Sequence, residues 1–125
     1  IYKDNFDINP SQLIIGGAFY GMKQTRTKTS TGFTEWESAG SVSYTNIKSS
    51  YMNNDNYECF YDTNSQAAYI LSKDKLTFIS YDNIKSMKAK CEYALKVGAA
   101  GIMYWQNGHD TTGDLVNAIK EGLDK

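Results

Sequence analysis

The first apolar run of the chain, QLIIGGAFYGM (residues 12–22), sets Leu13, Ile14 and Ile15 side by side after Pro10. Contiguous apolar residues mark a strand buried on both faces, since a half-buried strand would alternate with polar positions. Gly16 and Gly17 would let neighbouring elements approach closely. Residues 23–43 turn to Thr, Ser, Gly and Lys, with Phe33 and Trp36 as isolated aromatics, and predict a loop excursion. SYTNIKSSYM places Tyr44, Ile47 and Tyr51 at helical spacing and predicts a short helix. Three strand-length runs follow, YECFYD, QAAYILS and KLTFISY, separated by the turn-prone TNS and KD, so antiparallel hairpins are expected. Residues 82–98 predict a helix with both ends marked. Asp82 or Asn83 caps its start, Gly98 supplies a left-handed stop, and Ile84, Met87, Cys91, Ala94 and Leu95 lie along one stripe. GAAGIMYW is the next strand. The last helix carries Leu115, Val116, Ile119 and Leu123 on one face and opens at Asp110, Thr111 or Thr112.

Two buried strands joined through a helix imply a parallel pair with a crossover connection. The fold class expected is α/β, with the middle of the chain as an inserted α+β lobe. At 125 residues the chain has the length of one domain. A net charge of −1 with 22% charged residues gives no basic footprint for nucleic acid or an anionic membrane surface. No apolar run reaches the roughly 18 residues that would read as a membrane span. The chain opens on Ile1 without a signal-like segment, which leaves open that it is part of a longer protein. Cys59 and Cys91 show no metal or redox spacing and are expected to be buried free thiols. A single histidine, His109, excludes a histidine-rich metal site. The ten tyrosines supply flat apolar faces with polar tips, which suit a core and also suit sugars.

Four blocks, in order and with their spacing kept, resemble the C-terminal part of the glycoside hydrolase family 18 enzymes, the chitinase-like (β/α)8 barrels. INPSQLIIGGAFYGM resembles the approach to the seventh barrel strand, which in the family ends in Phe-Tyr-Gly. CFYDTNSQAAYIL resembles part of the lobe inserted after that strand. FISYDNIKSMKAKCEYALKVGAAGIMYW resembles the lobe's exit, the seventh helix and the eighth strand with its terminal tryptophan. HDTTGDLVNAI resembles the start of the final helix. The resemblance implies a partial (β/α)8 TIM barrel, the last two strand-helix units, in residues 1–29 and 81–125, with an α+β insertion lobe in 30–80. Length agrees: a barrel takes about 250 residues, two units need roughly 60, and residues 13–29 and 81–125 supply about 62.

In such barrels the ligand sits beyond the C-terminal ends of the strands. The resemblance therefore implies that Trp105 floors the pocket for one sugar ring and that Tyr20 lines the same cleft. Either ring would otherwise serve as core filler. An arginine often follows the family's Phe-Tyr-Gly; Met22 stands there instead, and removes a donor for a sugar hydroxyl or a carboxylate. Phe19 should point away from the cleft and pack among the helices. Trp36, Tyr57, Glu58 and Tyr61 are candidates for the wall that the lobe provides. Alternation sets Tyr57, Cys59 and Tyr61 on one face of their strand and Glu58, Phe60 and Asp62 on the other, without saying which meets sugar. Asp110 is read as a cap for the last helix, not as a catalytic group.

The family cleaves with D-x-x-D-x-D-x-E after the fourth strand, the substrate's own N-acetyl group acting as nucleophile. DNFDINPS places Asp4, Asp7, Asn9 and Ser11 at that spacing, but no apolar strand precedes it, Pro10 interrupts it, and serine cannot act as the general acid. No catalytic residue is assigned within the chain. The resemblance implies a piece of a longer enzyme hydrolysing β-1,4-linked N-acetylglucosamine polymers, chitin before peptidoglycan, a spore wall or N-glycans, by substrate-assisted retaining catalysis. The alternative is a non-catalytic, lectin-like relative that binds chitin oligosaccharides. The implied partners are that polysaccharide and the remainder of the barrel; no metal or organic cofactor is implied. Secretion or attachment to a cell wall follows from the family alone. Two parallel strands with open edges also predict self-association of the isolated piece.

Overall fold

The computed structural model of the chain describes residues 5–124, so Asp4 of the rejected acidic spacing lies outside the described residues. Two strands form a parallel pair: β1 (Ile14–Ala18) against a late strand (Gly101–Trp105), in register from Ile14↔Gly101 to Ala18↔Trp105. Partners in a parallel ladder share a face. Ile14, Gly16, Ala18, Met103 and Trp105 therefore point to one side, and Ile15, Gly17, Ile102 and Tyr104 to the other. The second side is covered by a helix over Ile84–Val97. Gly17 makes that packing close, for a Cβ there would stand 2.8 Å from Met87 Sδ. The first side is bare among the described residues: Ile14 is 60% exposed and Met103 58%.

Between the two parallel strands the chain builds an antiparallel sheet. In chain order its strands are β2 (Tyr20–Thr25), β5 (Glu37–Ser43), β6 (Tyr57–Asp62), β7 (Ala67–Ser72) and β8 (Thr77–Tyr81); in space they run β5-β2-β8-β7-β6. A small hairpin of β3 (Lys28–Thr29) and β4 (Gly32–Phe33) projects from it, and the late parallel strand is β9. The three hairpin strands expected over residues 57–81 are all present. The loop expected over residues 23–43 is not: β2 runs to Thr25 and β5 begins at Glu37. Their polar composition reflects a sheet with one open face and, for β5, an edge position, so few of their side chains are buried. The sheet accordingly starts at Tyr20, ten residues before the expected boundary of the lobe.

The sheet's inner face carries Gly21, Ala68, Ile70, Ile79 and Tyr81, and a short helix lies over it. That helix, α1 (Tyr44–Ile47), is capped by Ser43 and widens into a π-helical turn, Lys48–Met52. Tyr44 and Ile47 are buried, as the spacing predicts, and join Phe19, Met87 and Leu115 in one core. The long helix, α2 (Ile84–Val97), starts in a capping box in which Asn83 accepts from Ser86 N and Ser86 accepts from Asn83 N. It stops at Gly98, whose φ of 72° suits glycine. Its expected stripe is buried only in the middle: Met87, Cys91 and Ala94 are covered, while Ile84 and Leu95 lie exposed at its two ends. Cys59 is exposed, against expectation, because β6 is an edge strand that no helix covers at that point.

The last helix, α3 (Asp114–Leu123), packs on α2 and is also fastened to α1. Asp114 accepts from Lys48 Nζ and from the Tyr44 hydroxyl (3.3 Å for the latter). The lysine's hydrogen bond holds the Asp114 carboxyl below its ordinary range. Burial, and then the charge of Asp114, push the Tyr44 hydroxyl above its own. Because the folded state favours ionised Asp114, this contribution is present above the unfolded aspartate pKa of about 3.9 and is lost as pH falls through the lower folded value. Asp114→Asn should therefore lower stability at pH 7 by no more than about 1 kcal/mol, since water screens a half-exposed lysine. Urea midpoints of the two proteins should draw together as pH falls below the ordinary aspartate range and through the lowered folded value; a gap that does not narrow with acid would rule out this charge as the source.

Candidate functional site

Trp105 ends β9 and is 64% exposed, on the bare side of the parallel pair. Ala18 is its partner across the ladder, so a small side chain adjoins the indole at the strand tops. The backbone continues the link: Phe19 N donates to Trp105 O (2.8 Å), and Tyr44 N donates to Phe19 O (2.9 Å). Phe19 itself is fully buried and stacked on Tyr104 with centroids 4.3 Å apart, on the helix side as expected. Tyr20 comes next and starts β2, half-buried, its ring edge-on to His109 at 6.2 Å. The loop after Trp105 holds that histidine: the Trp105–Gln106 peptide is cis, Gln106 Nε2 lies 3.1 Å from His109 Nε2, and Thr45 Oγ1 donates to His109 O (3.3 Å). Trp105 and Tyr20 are thus brought to the same end of the parallel pair.

The register separates the four wall candidates. Tyr20, Met22 and Gln24 share the sheet's open face with Phe78, Ser80, Tyr69, Phe60 and Glu58. Tyr57 and Tyr61 point to the inner face and pack on the core. The Tyr61 hydroxyl donates to Gln66 Oε1 (2.8 Å), and Lys85 Nζ lies 4.1 Å over its ring. Both tyrosines brace the sheet from behind instead of standing on its open side. Glu58 is on the open face but three strands from β2, roughly 14 Å away at sheet spacing. Trp36 sits beyond Thr25, roughly 17 Å along β2 from Tyr20, packed on Phe78 (5.9 Å) and under the Arg26 guanidinium (4.3 Å). Neither reaches the strand tops.

Three features were not read from the sequence as parts of this site. One is an aromatic row across the open face, Phe60 on Tyr69 (5.1 Å) and Tyr69 on Phe78 (5.7 Å). Its signal was present in the alternation of Phe60 with Tyr61. Another is the contact of His109 with Tyr20, which nothing in the sequence announces. The third is Asp82, read only as a possible helix cap. Asn83 takes the cap, and buried Asp82 instead accepts from Ala18 N (2.9 Å), Ser86 Oγ (2.9 Å) and Lys90 Nζ (2.6 Å). Asp110 is not the cap residue of α3, which is Gly113, but it serves the helix start all the same: its Oδ2 accepts from Leu115 N (2.9 Å) and its Oδ1 from Thr112 N (3.0 Å).

A recess of about 340 Å³ lies at the foot of the open face, beside Tyr20, Met22, Ala18, Ala67 and Ser80. A larger one, about 670 Å³, lies under the inner face between Tyr44, Tyr81 and α2. It includes neither Trp105 nor Tyr20; the smaller one includes Tyr20 and Ala18, the ladder partner of Trp105, but not Trp105 itself. Among the described residues no group of three or more His, Cys, Asp or Glu side chains is placed to hold a metal ion.

The description "Glycosyl hydrolases family 18" matches residues 2–110. The chain belongs to glycosyl hydrolase family 18. It is 31% identical to a chitinase of Autographa californica nuclear polyhedrosis virus over 90% of this chain and 22% of that protein. With chitinase A1 of Niallia circulans it shares 29% identity over 90% of this chain and 18% of that one. A solved family 18 N-acetylglucosaminidase from Paenibacillus barengoltzii superposes on 93% of this chain and 35% of its own, with a TM-score of 0.78 at 30% identity. The chain thus spans about a fifth of the curated relatives' length. Family 18 membership and the mixed α/β fold agree with the four-block resemblance.

Proposed function

We propose that the chain is the C-terminal quarter of a (β/α)8 glycosidase barrel, with β1 and β9 as its last two strands and residues 20–81 as the insertion lobe. The observation that carries this reading is Trp105: a large indole left mostly exposed at the top of a parallel strand, with small Ala18 beside it. Burying an indole normally gains free energy, so one held at a strand end among polar residues suits a ligand's apolar face. The sugar ring stacks its C–H face there, Tyr20 borders the same site, and the open face of the sheet forms the wall. Tyr57 and Tyr61 drop out of that wall, and Trp36 and Glu58 belong to its outer parts.

The parent protein hydrolyses β-1,4-linked N-acetylglucosamine polymers by substrate-assisted retaining catalysis. Its general acid lies outside these residues, and it acts outside the cell or at a cell wall. Bare Ile14 and Met103 and the free edge of β1 meet the rest of the barrel, or a second copy when the chain stands alone. The test is release of reducing ends from chitin oligomers by the full-length protein and by this chain. Turnover by the former and none by the latter is expected. Tight binding of chitin oligomers without turnover by the full-length protein would assign it to the lectin-like class, and turnover by this chain alone would overturn the placement of the acid.

A further inference from the structure

The outer edge of β1 is closed at its top by side chains. Backbone groups along a strand turn alternately to its two edges. Leu13 O accepts from Ala100 N (2.7 Å) and Phe19 N donates to Trp105 O (2.8 Å), so the odd-numbered positions of this segment serve β9. Ile14, Gly16 and Ala18 therefore turn their amides and carbonyls to the opposite edge, where no strand lies among the described residues. That edge is not wholly free. Ala18 N donates to Asp82 Oδ2 (2.9 Å), and Lys90 Nζ donates to Gly16 O (3.1 Å) and to the same Asp82 oxygen (2.6 Å). The carboxylate is buried and aimed: its Oδ1 accepts from Ser86 Oγ (2.9 Å), the hydroxyl that also closes the capping box of α2.

We propose that Asp82 and Lys90 stand in for a strand at the top of this edge, so that the neighbouring strand of the parent barrel pairs with β1 only along Ile14 and the Gly16 amide and parts from it before Ala18. This rests on the barrel reading above. A parallel neighbour that followed β1 throughout would bond the amides and carbonyls of Ile14 and Gly16 and then the Ala18 amide. The Gly16 carbonyl has two lone pairs and could accept again, but the Ala18 amide has one hydrogen, and it is spent. Its bond to a carboxylate is roughly twice as strong as one to a backbone carbonyl, so a strand does not displace it. Displacement would also strip a partner from a buried charge, the costly case. The neighbour thus leaves the ladder beside Ala18, the partner of Trp105. Paired strands stand about 4.8 Å apart and admit nothing between them. A notch in the rim at this point widens the floor of the cleft next to the indole.

The experiment is amide hydrogen exchange in the full-length protein, read at single residues by mass spectrometry with fragmentation, for the wild type, Asp82→Ala and Asp82→Asn. In the wild type the Ile14, Gly16 and Ala18 amides are all expected to exchange slowly, the first two held by the neighbouring strand and the third by Asp82. Asp82→Ala should speed Ala18 by about 100-fold relative to Gly16, which keeps its strand partner. Asp82→Asn retains an acceptor oxygen without the charge, survives where the alanine variant does not fold, and should speed Ala18 by about 10-fold on the same scale. A general loss of stability moves both amides together, so the ratio reads the local bond alone. A ratio unchanged within about twofold in the folded variants means that a strand carbonyl holds Ala18, and overturns the proposal while leaving the barrel intact. Ile14 and Gly16 amides that exchange unprotected in the wild type overturn the barrel reading, and this inference with it.

Discussion

Trp105→Ala in the full-length protein is expected to cut kcat/KM on chitin oligomers by about 100-fold. Stacking one sugar ring on the indole removes on the order of 100 Å² of apolar surface from water, worth about 2.5 kcal/mol, and truncation forfeits nearly all of it. The fall should appear in kcat as well as KM, because a ring that is no longer held flat is also misplaced for cleavage. Trp105→Phe keeps a flat face and should recover part of the loss. A urea-unfolding midpoint of the full-length variant, measured alongside, separates lost stacking from lost packing, since Trp105 shares its side of the parallel pair with Ile14 and Met103. Wild-type kinetics in Trp105→Ala would remove the sugar floor from this residue.

Phe19→Ala is expected to destabilise the protein by about 4 kcal/mol, read from urea unfolding. The ring is fully buried, stacked on Tyr104, and part of the core shared by α1, α2 and α3. Its backbone also ties Trp105 to Tyr44, so the cavity opens where the parallel pair meets the sheet. Phe19→Leu should cost much less, as it leaves a smaller void. A loss below about 1 kcal/mol for the alanine variant would mean that the neighbouring rings collapse into the space.

Some of this architecture was plain in the residue order. The boundaries of α2 were legible because Asn83 and Gly98 each do a local job that needs no distant partner. The parallel pair was legible as two contiguous apolar runs, Leu13-Ile14-Ile15 and Ile102-Met103, although burial is found only on the side that α2 covers and not on both faces as expected. Strands β2 and β5 were not, since YGMKQT and ESAGSVS spend half their positions on open water and draw their order from neighbours far along the chain. The site divides the same way. The placement of Trp105 and Tyr20 at one end of the parallel pair follows from strand ends, a local property, whereas a role in binding sugar came from the family resemblance alone. The fate of Tyr57, Glu58 and Tyr61 hinged on which side α1 covers, and alternation alone is symmetric between the two sides. Asp82 was half seen: its neighbour is the cap, while its own partners lie across the gap between β1 and α2.

That gap has a bearing on how such a protein can be altered. The chain leaves the parallel layer at Ala18 and re-enters it at Asp82, and the Asp82 carboxylate holds the Ala18 amide at 2.9 Å. The two points of departure are clasped together, yet the segment between them lends Phe19, Tyr44 and Ile47 to the same core as Met87 and Leu115. An exchanged segment of another length therefore has the right spacing at its ends from Ala18 and Asp82, and succeeds only if it brings side chains that refill that core.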